Sequence, residues 1–419
     1  MTVYGISFEG RPYFEKIEVG ENQYVPDASM EELSERHQES LRKQIELAQV
    51  VEAVGYDYVV HSEHHANPLA SVTPNPLVTQ TAIAQETETV RLLQMANLLP
   101  LHDPVRLAEQ VAMLDVLSEG RVDVGICWGG NDNAYETLSQ HWGGTQGNSV
   151  KRFQLFEERY EILKRLWTED MTQYDGVFDQ IPAPYTTHDN QREYTYFAEY
   201  SSEYAVDDYL DIVSGEPVLR SLSVLPKPIQ KPHPPLWKPT LSAESAAWAA
   251  REGVNICTHL FDKTSASELI DAYYDAAREA TWPDRRDEYD GDSFQRGWCP
   301  QSERGVGIIL QVFDTDVANE ATIRRWKRDL EHALVNKKIR DRTNERESIE
   351  ALIENEEGLF VGGHDTLVRE LTAVVDELEL EDAFFIFDPN TSALTWEERE
   401  DQLRALAEHV IPELTSHLN

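Results

Sequence analysis

Residues Leu98–Gly130 read LLPLHDPVRLAEQVAMLDVLSEGRVDVGICWGG. Pro104 opens this stretch's helical run and Gly120 follows it, which predicts a helix over Pro104–Leu117. Proline fits the first helical turn, where its missing N–H costs nothing, and glycine readily takes the backbone conformation just past a helix end. Val122–Cys127, a short apolar run, then reads as a buried strand. One helix leading by a few residues into one strand is half of a βα repeat.

The same alternation extends outward in both directions. Val3–Phe8, Tyr58–His61 and Arg91–Asn97 read as earlier strands, separated by helices Glu31–Val54 and Pro76–Gln85. In the first of these helices Leu41, Ile45, Ala48 and Val51 lie on one stripe, with Gly55 just past the end. Lys151–Trp167 reads as a long helix. Later strands are expected at Leu236–Leu241, Val254–Thr258, Gly305–Phe313 and Ala383–Phe387. Helices are expected at Ala243–Arg251, Ala266–Ala280, Val317–Val335, Thr366–Glu379 and Trp396–Leu414.

Eight strands alternating with helices fit an α/β fold of the (βα)8 TIM-barrel type better than an open sheet. A plain barrel needs about 250 residues, so a chain of 419 carries insertions. The expectation is one barrel domain over 1–419, with insertions at about 174–235 and 284–304. The first is acidic, rich in tyrosine and closed by LPKPIQKPHPPLW; it reads as a lid, as surface that contacts a second copy, or as plain acidic surface.

Charge excludes several partners. The chain has 76 acidic and 37 basic residues, a formal charge of −39, spread from Glu9 to Glu413 rather than gathered in a tail. No basic stripe offers itself to nucleic acid, and an anionic membrane surface is disfavoured for the same reason. A foldable, lysine-poor chain with so even an acidic coat reads as a halophile protein, since at about 1 M salt the Debye length falls to about 3 Å and self-repulsion is screened. The other reading is an ordinary acidic protein. Three widely spaced cysteines, Cys127, Cys257 and Cys299, without a CxxC imply neither a zinc site nor a disulfide framework. With no signal pattern at MTVYGISFEG and no apolar run long enough to span a bilayer, a soluble cytoplasmic protein is expected.

Reactive groups of such barrels sit at the C-terminal ends of the strands. The densest candidate is HSEHH at His61–His65, just after the second strand. It has two readings: metal ligation by His61, His64 or His65, as in a metal-dependent barrel hydrolase, or backbone capping at the strand end. HExxH is absent, and DEYDGD at Asp287–Asp292 has the wrong spacing for a calcium loop. Also absent are GxxxxGK, GxGxxG and GxSxG, so nucleotide hydrolysis and α/β-hydrolase chemistry drop out. At the start of helix Ala243–Arg251, Ser242 stands at the N-cap and Ser245 three residues on. They read either as simple capping or as an anion site, with Arg152 as a candidate cation or an ordinary solvated arginine.

Taken together, these segments resemble the bacterial luciferase-like flavin-dependent monooxygenases over nearly the whole chain. The resemblance is carried by VGYDYVVHSEHH (Val54–His65), the opening stretch Leu98–Gly130, PKPIQKPHPPLWKPTLSAESAAWAAREG (Pro226–Gly253) and VGGHDTLVRELTAVVDEL (Val361–Leu378). It implies a (βα)8 barrel in the FMN-using branch, with a deazaflavin-dependent hydride-transfer enzyme as the alternative and a non-catalytic flavin-binding relative as a further one. By position, His64 is the implied catalytic histidine and His65 the structural one. The implied cofactor contacts are Met95 and Ala96, which the family often joins by a cis peptide, together with Cys127, Trp128, Arg152, Ser242 and Ser245. Where luciferases place an arginine after the cysteine this chain has Trp128, so a basic phosphate contact is missing there. No metal is implied.

The reaction implied is two-component. A separate NAD(P)H-dependent flavin reductase supplies reduced FMN, dioxygen converts it to a flavin peroxide, and a small organic substrate is oxidised. The expected assembly is a homodimer.

Overall fold

In the computed structural model, the apolar runs become eight parallel strands whose sheet closes on itself. The structure describes residues 2–8, 10–20, 23–65, 73–129, 148–183, 210–213, 216–280, 298–299, 304–340, 353, 356–389 and 393–418. The barrel strands are β1 (Val3–Phe8), β2 (Tyr58–His61), β3 (Arg91–Gln94), β4 (Val122–Cys127), β5 (Leu236–Pro239), β6 (Asn255–His259), β7 (Arg304–Asp314) and β8 (Phe384–Asp388). Register runs without a break round the ring. Gly5 pairs with Tyr58, Tyr58 with Arg91, Leu92 with Val122, and Val124 with Leu236. Trp237 then pairs with Asn255, Ile256 with Val306, Gly307 with Phe384, and Phe384 with Val3. Each pairing is parallel, so the C-terminal ends of all eight strands share one rim, as expected from the βα alternation.

The helices are α1 (Met30–Ala53), α2 (Pro76–Glu86), α3 (Pro104–Leu117), α4 (Ser149–Thr168), α5 (Ala243–Arg251), α6 (Lys263–Glu279), α7 (Glu320–Arg340), α8 (His364–Glu377), α9 (Trp396–Ala405) and α10 (Ile411–Leu418). Their starts are chemically explicit. Ser29 and Glu32 form a capping box at α1, and Thr395 and Glu398 form another at α9. Asn75 and Asp103 cap α2 and α3, each followed by proline. None of the described helices is long and apolar enough to cross a membrane.

Contacts group the chain into two compact units. The barrel unit is Met1–Asn97, Arg121–Ile126 and Pro235–Asn419; the second is Leu98–Gly120 and Cys127–Pro234. In the barrel unit the N-terminal ends of the strands are plugged by a buried polar group. Asp123 accepts from the Trp237 indole at 2.8 Å, from Arg91 Nε at 2.9 Å and from Tyr58 OH at 3.4 Å. Desolvation pulls the Arg91 guanidinium down, but the Asp123 charge outweighs it and holds the group above its ordinary value. Phe384 packs against Tyr58 and Trp237, with ring centroids 4.7 and 5.3 Å away.

In the second unit, Asp115 of α3 fixes the proline-rich segment by accepting from the Ile229 and Gln230 amides at 2.7 and 3.0 Å. Arg159 of α4 donates to the Leu99, Pro100 and His102 carbonyls and pairs with Asp179. Trp167 donates to the Ala108 carbonyl at 3.0 Å, joining α4 to α3.

Several elements depart from expectation. The strand read as Arg91–Asn97 ends at Gln94, and a cis Met95–Ala96 peptide separates it from a two-residue strand at Asn97–Leu98. The last helix, read as continuous over Trp396–Leu414, is interrupted by a π-turn at Leu406–Val410. A hairpin at Lys16–Gly20 and Gln23–Pro26 was not anticipated. Within the first expected insertion, Tyr174–Asp175 pairs with Gln180–Ile181 and Leu210–Val213 with Glu216–Leu219, while residues 184–209 and 214–215 lie outside the described residues. Of the second, only Trp298–Cys299 and Arg304 are described, so Asp287–Asp292 also lies outside.

Candidate active site

At the C-terminal rim of the barrel, β2 and β3 end side by side, His61 opposite Gln94. A chain of buried polar side chains organises this corner. Gln80 of α2 donates to His61 Nδ1 at 3.3 Å and to the Leu93 carbonyl at 3.0 Å. Gln94 donates to Gln80 Oε1, and Asn97 donates to the Gly125 carbonyl of β4 at 2.9 Å. The Met95 amide donates to the His61 carbonyl at 2.7 Å. All four side chains are buried, where an unmade hydrogen bond costs about 1–3 kcal/mol. The network therefore holds the backbone on both sides of Met95–Ala96 in one arrangement.

Gly125 belongs to the same construction. A Cβ there would lie 1.7 Å from the Gln94 carbonyl oxygen and 3.1 Å from Ala96 Cβ. Only glycine lets β4 approach the end of β3 this closely.

The HSEHH cluster does not converge on one ligand position. Fully buried His61 accepts from Gln80 at Nδ1, and burial pushes its pKa down to about 3. His65 Nε2 lies 2.6 Å from buried Glu63 Oε1. His64 is half-buried, and its amide donates to the Thr73 carbonyl at 3.2 Å. His61 and His65 thus face separate partners, which removes the geometric basis for reading the cluster as one metal centre.

The N-terminus of α5, after β5, holds the expected serines. Ser242 is the N-cap and accepts from the Ser245 amide at 3.3 Å. The structure adds a residue that sequence reasoning missed. Lys238 of β5 is 1% exposed, donates from Nζ to Ser245 Oγ, and lies 5.9 Å from the Trp248 ring centroid. An ammonium, a hydroxyl and the free amides of a first helical turn meet at one place. That combination has the donor chemistry of a phosphate site.

In the second unit, Arg152 is not a solvated arginine. It is 6% exposed on α4, with its guanidinium carbon 5.9 Å above the Trp128 ring. Trp128 packs edge-on against Phe153 at 5.3 Å, so its indole is part of an aromatic cluster with the first turns of α4. Cys127, half-buried at the last position of β4, forms no disulfide.

Gln80, Gln94, Asn97, Gly125 and Lys238 are the residues left unread in the sequence. The signal was a run of polar residues inside apolar strands: RLLQMAN at Arg91–Asn97, and a lysine in LWKPT in a lysine-poor chain.

Comparison with known proteins agrees with this architecture. Residues 25–204 match the family described as luciferase-like monooxygenase. Over 212 residues the chain is 26% identical to the oxygenase component of the flavin-dependent trigonelline monooxygenase of Acinetobacter baylyi, covering 51% of this chain and 46% of that protein. The chain spans about half the length of the curated relatives it matches. Its fold is similar to a monooxygenase from Streptomyces bottropensis, with TM-score 0.67, 19% identity, and coverage of 98% and 99% of the two chains. It is also similar to the oxygenating constituent of 3,6-diketocamphane monooxygenase of Pseudomonas putida in complex with FMN, with TM-score 0.66, 17% identity, and coverage of 99% and 98%. Residues 25–204 thus match the luciferase-like monooxygenase family, and the closed barrel has the fold of solved monooxygenases.

Proposed function

We propose that this chain is the oxygenase of a two-component, FMN-dependent monooxygenase that inserts oxygen from dioxygen into a small organic substrate. The observation that carries the reading is the buried Lys238 ammonium on Ser245 at the N-terminus of α5, on the rim that also ends in the Met95–Ala96 corner. A flavin phosphate fits this donor set, because a dianion offsets both a buried ammonium and the positive end of a helix dipole. When bound, reduced flavin supplies the electrons that activate dioxygen.

The protein's own residues bind, orient and protect. Lys238, Ser242 and Ser245 hold the phosphate. The polar network from His61 to Asn97 keeps the Met95–Ala96 backbone rigid as a support for the flavin ring. His64 holds or moves a proton at its imidazole nitrogen, a role suited to a side chain whose ordinary pKa lies near neutrality. A separate NAD(P)H-dependent reductase supplies the flavin, and the working assembly is a cytoplasmic homodimer.

The test is His64→Ala. Reduced-flavin binding is expected to survive while oxygenated product falls by about 10²–10⁴-fold. Unchanged turnover overturns the role of His64. Titration with a deazaflavin beside FMN decides the cofactor: preferential deazaflavin binding replaces the monooxygenase with hydride transfer on the same barrel.

A further inference from the structure

At the same C-terminal end of the barrel, the end of β7 and the start of α8 bring three metal-ligating groups together. Asp314 is the last residue of β7, Asp316 follows two residues on, and His364 opens α8. One ligand atom from each lies within 4.8 Å of the others. The backbone beneath them is fixed. Gln402 of α9 accepts from the Asp314 amide and donates to its carbonyl, both at 2.8 Å. Asp314 Oδ1 accepts from the Asp316 amide at 2.9 Å, and Asp316 Oδ2 accepts from the His364 amide at 2.9 Å. Gly363 leaves the space that the Asp316 carboxylate fills, since a Cβ there would meet Oδ2 at 2.5 Å. The His409 ring, on the π-turn, stacks on His364 with centroids 4.2 Å apart.

These bonds account for Asp314 Oδ1 and for one oxygen of Asp316. They leave a pair that hydrogen bonding does not explain. Asp314 is fully buried, and its Oδ2 lies 2.8 Å from His364 Nε2. Both atoms are buried and neither has a hydrogen-bond partner of acceptable geometry. A carboxylate oxygen and an imidazole nitrogen facing each other in this way can share a cation that draws on a lone pair from each.

We propose that Asp314, Asp316 and His364 form a binding site for one divalent transition-metal ion, which ties the end of β7 to the N-terminus of α8. Two carboxylates match the charge of a divalent ion, and the imidazole favours zinc over magnesium, calcium and manganese, which take oxygen donors. Three protein ligands leave coordination positions to water. The proposal stands on its own residues and does not depend on the proposed flavin chemistry.

The experiment uses the full chain, stripped with a chelator and titrated with Zn²⁺, with Mg²⁺ as the control. Bound metal is counted by mass spectrometry and thermal stability is followed in parallel. One equivalent of zinc and a rise in Tm are expected, with neither given by Mg²⁺. Asp316→Asn, at an exposed position that leaves the fold intact, is expected to weaken zinc about 10–100-fold. His364→Ala is expected to abolish the stoichiometric site and its Tm shift. Failure of the wild-type chain to take up one equivalent overturns the proposal. So does equal uptake by wild type and both variants, which assigns the metal to scattered surface groups.

Discussion

Lys238→Met tests the phosphate site most directly. The substitution keeps the length and much of the apolar stem of a side chain that is 1% exposed, and removes its charge and its bond to Ser245. A hydrogen bond to a charged group contributes about 1.5–3 kcal/mol. At about 1.4 kcal/mol per decade, FMN should therefore bind roughly 10–150-fold more weakly. Riboflavin has the same ring and no phosphate, so its affinity should change less than about twofold. Fluorescence titration of both flavins against wild type and variant gives the comparison. Equal weakening of FMN and riboflavin would place Lys238 in ring support or folding. No change in either would remove it from the site altogether.

Three further outcomes are expected. Gly125→Ala must push a Cβ from 1.7 Å to at least 3.0 Å from the Gln94 carbonyl oxygen, displacing backbone rather than a side chain. A loss of at least about 1–3 kcal/mol by denaturant unfolding is expected, and unaltered stability would refute the close approach of β4 to β3. His61, with its pKa pushed down to about 3 by burial, remains neutral in the folded barrel while the unfolded chain protonates near pH 6.5. Its contribution is fully present above pH 6.5 and is lost on acidification at about 1.4 kcal/mol per pH unit down to about 3. His61→Gln should flatten the acid limb of the stability profile, and an unchanged slope counts against it. Finally, a chain of charge −39 repels a flavin phosphate at low salt, so FMN affinity should improve toward molar salt. Affinity that declines steadily with salt in the folded protein contradicts this.

The barrel was legible because each strand is short, apolar and punctuated, so its position follows from periodicity. Val3–Phe8, Tyr58–His61 and Val122–Cys127 appear where the sequence places them. What periodicity misses are features set by the neighbouring strand. The Arg91–Asn97 run has continuous strand character, yet it turns at Met95 because Gln80 and Gly125, distant in sequence, hold its end. Ser242 was visible as an N-cap from its type and place. Lys238 was not, because a strand lysine becomes informative only when α5 folds back over it. Likewise Asp314 and His364 are 50 positions apart in sequence and meet only through the pairing of β7 with Leu359–Gly362.

Closure of the ring has a consequence for synthesis. β1 takes its second neighbour from β8, so Val3 waits for Phe384. At about 5–20 residues per second, the ribosome needs roughly 20–80 s to make the intervening chain. Throughout that interval VYGISF presents one unpaired edge with no partner yet made. Early pairing with β2 covers only the opposite edge, so until Phe384 is made the β8-facing edge stays open to pairing with another chain.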